Sequence, residues 1–146
     1  MKVTRYSWPE KLILAAEAFI AMAVARMALH RTKPADILRR NFEVGARVWE
    51  KVEKPEGPIA KVAFIIPQMA QRLPWRSDCL VQALAAQAML QRRQIASQII
   101  VGTTKHPDGR FEAHAWLRSG SKTIIGGDVA RFEPLLGSMQ SPVAPR

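Results

Sequence analysis

The sequence predicts an α+β domain, a helical N-terminal half followed by a three-stranded antiparallel sheet. Two observations carry that expectation. Up to Arg93 the apolar residues sit in stretches rich in Ala, Leu, Met, Gln and Arg, strong helix formers separated by capping residues and prolines. From Ile95 onward, β-branched residues and strict alternation replace them. The 146 residues suffice for one domain with a real core, and no internal repeat divides them.

The first helix is expected around Leu12 to Leu29, with Ser7 and Glu10 three residues apart as a capping box. Its composition resembles a membrane segment, but Glu17 and Arg26 interrupt it, and a charge at a bilayer centre costs about 2.5–3.5 kcal/mol on insertion scales. The apolar run between them is eight residues, far short of the ~20 a span needs. No stop-transfer flank or small-residue cleavage site lies nearby. The expectation is a buried core helix and no transmembrane segment, with peripheral membrane contact as the alternative. Pro34 opens a second helix toward Val52, with Ile37, Leu38, Phe42, Val48 and Trp49 apolar and Gly45 a break point. Lys54-Pro55-Glu56-Gly57-Pro58 is the clearest loop. A third helix over Ile59 to Arg72 carries Val62, Phe64, Ile65, Ile66 and Met69, and Pro67 within it should kink or break it.

The fourth helix runs from Leu80 to Arg93 without Gly or Pro, with Ser77 and Asp78 as N-cap candidates. Then the period changes. Ile95 to Thr104 suits a strand, and His106-Pro107-Asp108-Gly109 a turn with Gly109 at positive φ. Arg110 to Arg118 alternates, with Phe111, Ala113, Ala115 and Leu117 on one face and Glu112, His114, Trp116 and Arg118 on the other. After the Ser119-Gly120-Ser121 turn, Lys122 to Ile125 makes the third strand, ended by Gly126-Gly127-Asp128.

A net charge of +10 and a pI near 10.7 imply acidic partners. The basic residues are spread in pairs such as Arg39-Arg40 and Arg92-Arg93, without a long basic tract or interleaved aromatics, so no nucleic acid is expected. The lone cysteine excludes an intrachain disulfide and suits a reducing cytoplasm. No Cys/His cluster has metal-ligand spacing and no P-loop pattern is present, so neither a metal nor a cofactor is expected.

Chemistry concentrates at Pro74-Trp75-Arg76-Ser77-Asp78-Cys79-Leu80. Cys79 falls in the first turn of its helix, where unpaired amides and the positive end of the dipole favour an anionic sulfur. A lone cysteine is more often an inert buried residue. Here, though, His114 on a strand supplies a base and Asp128 a carboxylate, the nucleophile–base–orienter set of a Cys-His-Asp hydrolase. His30 and His106 are poorer bases, in a helix tail and a turn tip.

Leu73-Pro74-Trp75-Arg76-Ser77-Asp78-Cys79-Leu80-Val81-Gln82-Ala83-Leu84, with Val101-Gly102, Ala113-His114-Ala115-Trp116 and Arg131-Phe132-Glu133-Pro134-Leu135, resembles the lasso-peptide leader peptidases. These belong to the transglutaminase-like cysteine protease superfamily. The likeness covers Leu73 to Leu135 closely and the N-terminal helix loosely. It implies a papain/transglutaminase-like fold with the sheet packed against the nucleophile helix. The Lys54–Pro58 loop and the aperiodic, proline-bearing end divide the single domain, 1–146, into a helical part over 1–54, an expected Cys-His-Asp core over 55–136 and a flexible tail over 137–146. The likeness also implies that the leader is cut from a ribosomally made precursor peptide before an asparagine-synthetase-like lasso cyclase closes the macrolactam. A separate leader-binding recognition protein is implied as well. No such domain fits within this chain, so a stand-alone cytoplasmic peptidase is expected.

By this resemblance Cys79 is the nucleophile, His114 the base and Asp128 the third member, with Glu112 and Asp108 as the fall-back carboxylates. The Cys79 amide is one oxyanion donor, Gln71 or Trp75 Nε1 the second, and Trp116 a substrate-side candidate. The apolar first helix and the basic surface are candidate docking faces for the recognition protein or an acidic peptide. Two rivals remain: an acyltransferase of the same superfamily, whose thioester passes to an amine, and a non-catalytic module that binds peptide or nucleic acid.

Overall fold

The computed structural model describes residues 6–40, 56–75 and 77–136. Helices α1 (Trp8–Arg31), α2 (34–40), α3 (Glu56–Arg72) and α4 (Cys79–Arg92) precede strands β1 (Gln98–Lys105), β2 (Phe111–Ser119), β3 (Lys122–Ile125) and β4 (Glu133–Leu136). The α+β layout is as the sequence predicts. The sheet is antiparallel, but four-stranded, in the order β3-β2-β1-β4. The strand that sequence reasoning missed contains Pro134. A proline without an amide proton is tolerated at a sheet edge, and β4 is an edge, paired only with β1. Phe42, Gly45, Val48, Trp49 and Val52 of the expected second helix lie outside the described residues, as do Lys54, Pro55 and the tail from Gly137.

One helix expectation is corrected, and of the two outcomes expected at Pro67 the break does not occur. Glu56, Gly57 and Pro58, read as loop, form the first turn of α3. A proline there loses only an amide that has no intrahelical acceptor anyway. The helix also runs through Pro67. An interior proline costs about 3 kcal/mol, whereas burying Ile59, Val62, Ile65 and Ile66 on one face returns ~1.5–3 kcal/mol each. Burial wins.

The capping box of α1 forms: the amide and hydroxyl of Ser7 donate to Glu10 Oε2 at 2.9 and 2.8 Å. The expected all-round burial of this helix is met on one face only. Leu14, Ala18, Ala21, Met22 and Ala25 enter the core, while Trp8, Leu12, Ile13, Phe19, Ile20, Val24 and Met27 are exposed. Among the described residues α1 alone is long and apolar enough to cross a membrane, with 28% of its most apolar window buried in the protein.

A bidentate ion pair ties α1 to the end of α4. Arg93 Nη1 and Nη2 donate to Glu17 Oε1 and Oε2, both at 2.7 Å, and Nη1 also donates to the Met89 carbonyl at 2.8 Å. The Arg93 hydrogen bonds hold the Glu17 carboxyl below its usual range and raise the guanidinium, against a smaller opposing effect of burial. Because the folded value is the lower one, this stabilisation is complete above the ordinary carboxylate value of 4.5. It is lost as pH falls through the folded value. Glu17→Gln should therefore cost about 1.5–3 kcal/mol at neutral pH, the worth of hydrogen bonds to a charged group. It should also flatten the acid limb of the stability curve, read from urea midpoints between neutrality and acid.

The helices share one core with the sheet. Val62, Ile66, Val81, Met89 and Leu90 pack with Ile99 of β1, Leu117 of β2 and Ile125 of β3. A second, smaller cluster joins Ile100, Trp116 and Phe132, with Val129 against it. Ile99 pairs with Leu117 and Ile100 with Trp116, and consecutive strand residues face opposite ways. The two clusters therefore lie on the two faces of the sheet. Ala115, Trp116 and Leu117 are all buried in consequence, where a one-sided sheet would expose every second residue.

Candidate active site

Asp78 is the N-cap of α4, in extended conformation, and its carbonyl accepts the first helical bond from the Gln82 amide at 3.0 Å. Cys79 is thus the first helical residue, and its amide has no acceptor within the helix. The Gln82 side chain pins this turn by donating Nε2–H to the Ser77 carbonyl at 2.9 Å. The Cys79 thiol is free and half-buried. Just before it, Trp75 packs its ring on Phe19 of α1, centroids 5.6 Å apart. Three buried side-chain polar atoms among the described residues have no hydrogen-bond partner, and two of them, Trp75 Nε1 and Ser77 Oγ, flank this helix start. An unmet buried donor costs about 1–3 kcal/mol.

His114 lies in β2 opposite Gly102 of β1, on the sheet face of Trp116. Its Nε2 is 2.8 Å from the carbonyl oxygen of Gly126. Its ring is stacked with Phe132 (centroids 4.9 Å, 30°) and with Trp116 (6.2 Å, 24°). Two glycines make this packing possible. A Cβ on Gly102 would lie 2.7 Å from Trp116 Cη2 and 2.8 Å from the Glu133 carbonyl oxygen. Gly126 has φ +125°, and a Cβ there would lie 2.3 Å from Trp116 Cβ. Among the described residues, no strand lies beside His114 on the β3 side of β2, because β3 pairs only with Leu117, Arg118 and Ser119.

The expected carboxylates are elsewhere. Asp128 is exposed, and its Oδ1 accepts the Ala130 amide at 3.0 Å; it makes no hydrogen bond to His114. Glu112 is taken by His106 Nε2 at 2.9 Å and Arg131 Nη2 at 3.3 Å, and Asp108 by Arg110 Nε at 2.7 Å. Gln71 is exposed near the end of α3, and the Trp116 indole is buried against Gly102, away from solvent. Among the described residues no hydrogen bond joins Cys79 Sγ to a His114 nitrogen. No three His, Cys, Asp or Glu side chains among them gather as metal ligands would. Sequence reasoning had Phe132, Gly102 and Gly126 only as parts of motifs. Their role as the seat of the imidazole depends on strand register and on φ, which no residue pattern displays.

The thiol thus stands at the start of a helix that packs on the Leu117 face of the sheet, whereas the imidazole stands on the opposite face with Trp116 and Phe132, and the two are not brought together. The chain belongs to the transglutaminase-like superfamily, whose family model matches residues 19–137. Members are commonly cysteine-dependent enzymes, cysteine peptidases and acyltransferases among them. No curated protein and no solved structure gives a significant match.

Proposed function

We propose that this protein is a cysteine peptidase that removes the leader from a ribosomally made lasso-peptide precursor before a partner cyclase closes the macrolactam. The observation that supports it most is the start of α4, where Cys79 carries a half-buried thiol on the first helical residue. The Leu73–Leu84 and Ala113–Trp116 motifs point to the leader peptidases within the superfamily.

In this reading His114 takes the Cys79 proton, and the sulfur attacks the carbonyl at the leader–core junction. The Cys79 amide and Trp75 Nε1 receive the oxyanion. The imidazolium then protonates the departing core amine. Water next attacks the thioester, His114 again accepting a proton, and releases the leader as a free carboxylate. A separate leader-binding protein would raise the effective concentration of the scissile bond, which a chain this small cannot grip along its length. The exposed face of α1 is our candidate for that contact. Ile20→Glu should slow partner-dependent processing while leaving alkylation of Cys79 by iodoacetamide unchanged.

The test is incubation of the purified chain with its precursor peptide, with and without the leader-binding protein, followed by mass spectrometry. Free leader ending in a carboxylate supports the proposal. A leader joined to an amine identifies the acyltransferase instead, and an intact precursor under both conditions overturns the reading.

A further inference from the structure

Helix α1 is apolar on both sides, yet the protein covers only one of them. Leu14, Ala18, Ala21, Met22 and Ala25 enter the core, whereas Trp8, Leu12, Ile13, Ile20, Val24 and Met27 are each at least half exposed. These six side chains run along about 28 Å of helix, at 1.5 Å per residue. Between Lys11 and Arg26 the only charged residue is Glu17, and its carboxylate is held by Arg93 of α4. The outer side of this stretch is therefore an apolar strip without a free charge of its own. Such a strip on a folded chain marks a contact with protein or with a membrane.

The charges at its border choose between these occupants. Lys11, Arg26, Arg31 and Lys33 are exposed on the helix and just beyond it. Of the two carboxylates on α1, Glu17 is in the ion pair and Glu10 closes the capping box at the tip. An apolar strip with a basic border, on a chain of net charge +10, complements an anionic surface. A second copy would bring the same positive border and the same net charge to the strip. Trp8, three-quarters exposed at the N-terminal end, is an amphipathic ring of the kind that sits at headgroup level. To span a bilayer, α1 would have to leave the core, stripping out Leu14, Ala18 and Met22 and breaking the Glu17–Arg93 pair. A helix held on one side by its own domain lies along the surface instead.

We propose that the outer face of α1 seats this protein on anionic phospholipid bilayers, its apolar strip entering the headgroup–acyl boundary and its basic residues meeting lipid phosphates. The leader-binding protein would compete with lipid for this face. Seating on lipid requires neither that partner nor peptidase activity.

The test floats the full-length protein with vesicles of phosphatidylglycerol and phosphatidylcholine, and with vesicles of phosphatidylcholine alone. Partitioning onto the anionic vesicles should exceed that onto the neutral ones by about tenfold or more, since each basic residue near the surface contributes about fivefold. The double variant Leu12→Gln, Ile20→Gln keeps the net charge and strong helix formers. Both side chains are exposed, so circular dichroism and the urea midpoint should not move. Partitioning of this variant onto anionic vesicles should still fall by about tenfold or more. Protein that stays in the soluble fraction overturns the proposal. So does a double variant that floats like the wild type, or equal binding to neutral vesicles. A dimer seen by light scattering that the double variant turns into monomer also overturns it, because a second copy then covers the face. None of these results involves cleavage or Cys79, so the peptidase reading stands or falls separately.

Discussion

Under the proposed function, Cys79→Ala should abolish cleavage of the precursor, by about 10⁶-fold if this nucleophile behaves as those of other covalent hydrolases. The fold survives the change. Cys79 is the half-buried first residue of α4, alanine is the best helix former, and the helix start is held by the Asp78 carbonyl and by Gln82. Unfolding free energy should move by no more than ~0.5 kcal/mol. The measurement is the yield of free leader after long incubation, with circular dichroism and urea midpoints as the folding control. A well-folded Cys79→Ala protein that still releases leader would remove the sulfur from the mechanism. His114→Ala should behave alike in activity, since the sulfur would lose its proton acceptor.

If Trp75 Nε1 is the second oxyanion donor of the proposed peptidase, Trp75→Phe should lower kcat about 10²- to 10³-fold with little change in KM, the loss typical of one such donor. Its effect on stability has the opposite sign to that of most core substitutions. The phenyl ring keeps the tilted contact with Phe19, whereas the indole N–H that it removes is buried without a partner. Deleting such a donor relieves a desolvation penalty of about 1–3 kcal/mol. Activity should fall while the urea midpoint stays level or rises. A donor serving only the fold would give the reverse pattern, a lower midpoint with kcat unchanged. That result would leave the Cys79 amide without a second donor at this helix start.

Local physics was legible before any coordinates. Ser7 and Glu10 announced the start of α1, Gly109 and Gly120 the hairpin turns, and alternation placed Glu112, His114 and Trp116 on one face of β2. Each is a relation between residues a few positions apart, which is why the residue string displays it. The missed elements depend on what lies opposite in space. The loop read at Glu56–Pro58 is helix because α3 buries four apolar residues against its neighbours. β4 exists because an edge of β1 is open to a proline-bearing strand. The outer face of α1 looked like core because composition records how apolar a helix is, not which of its sides is covered.

The sequence by itself determined the class of domain, the helix-start position of Cys79 and the strand that bears His114. These follow from propensity, capping and periodicity, all of which act over one or two turns of chain. Only the tertiary structure decided which group meets the imidazole. Asp128 follows Gly126 by two residues and was the chemically obvious partner, but two positive-φ glycines turn the backbone so that the Gly126 carbonyl arrives first and the carboxylate caps Ala130. Backbone direction at a glycine pair is selected by what it must pack against, here Trp116, and residues distant in the chain supply that surface.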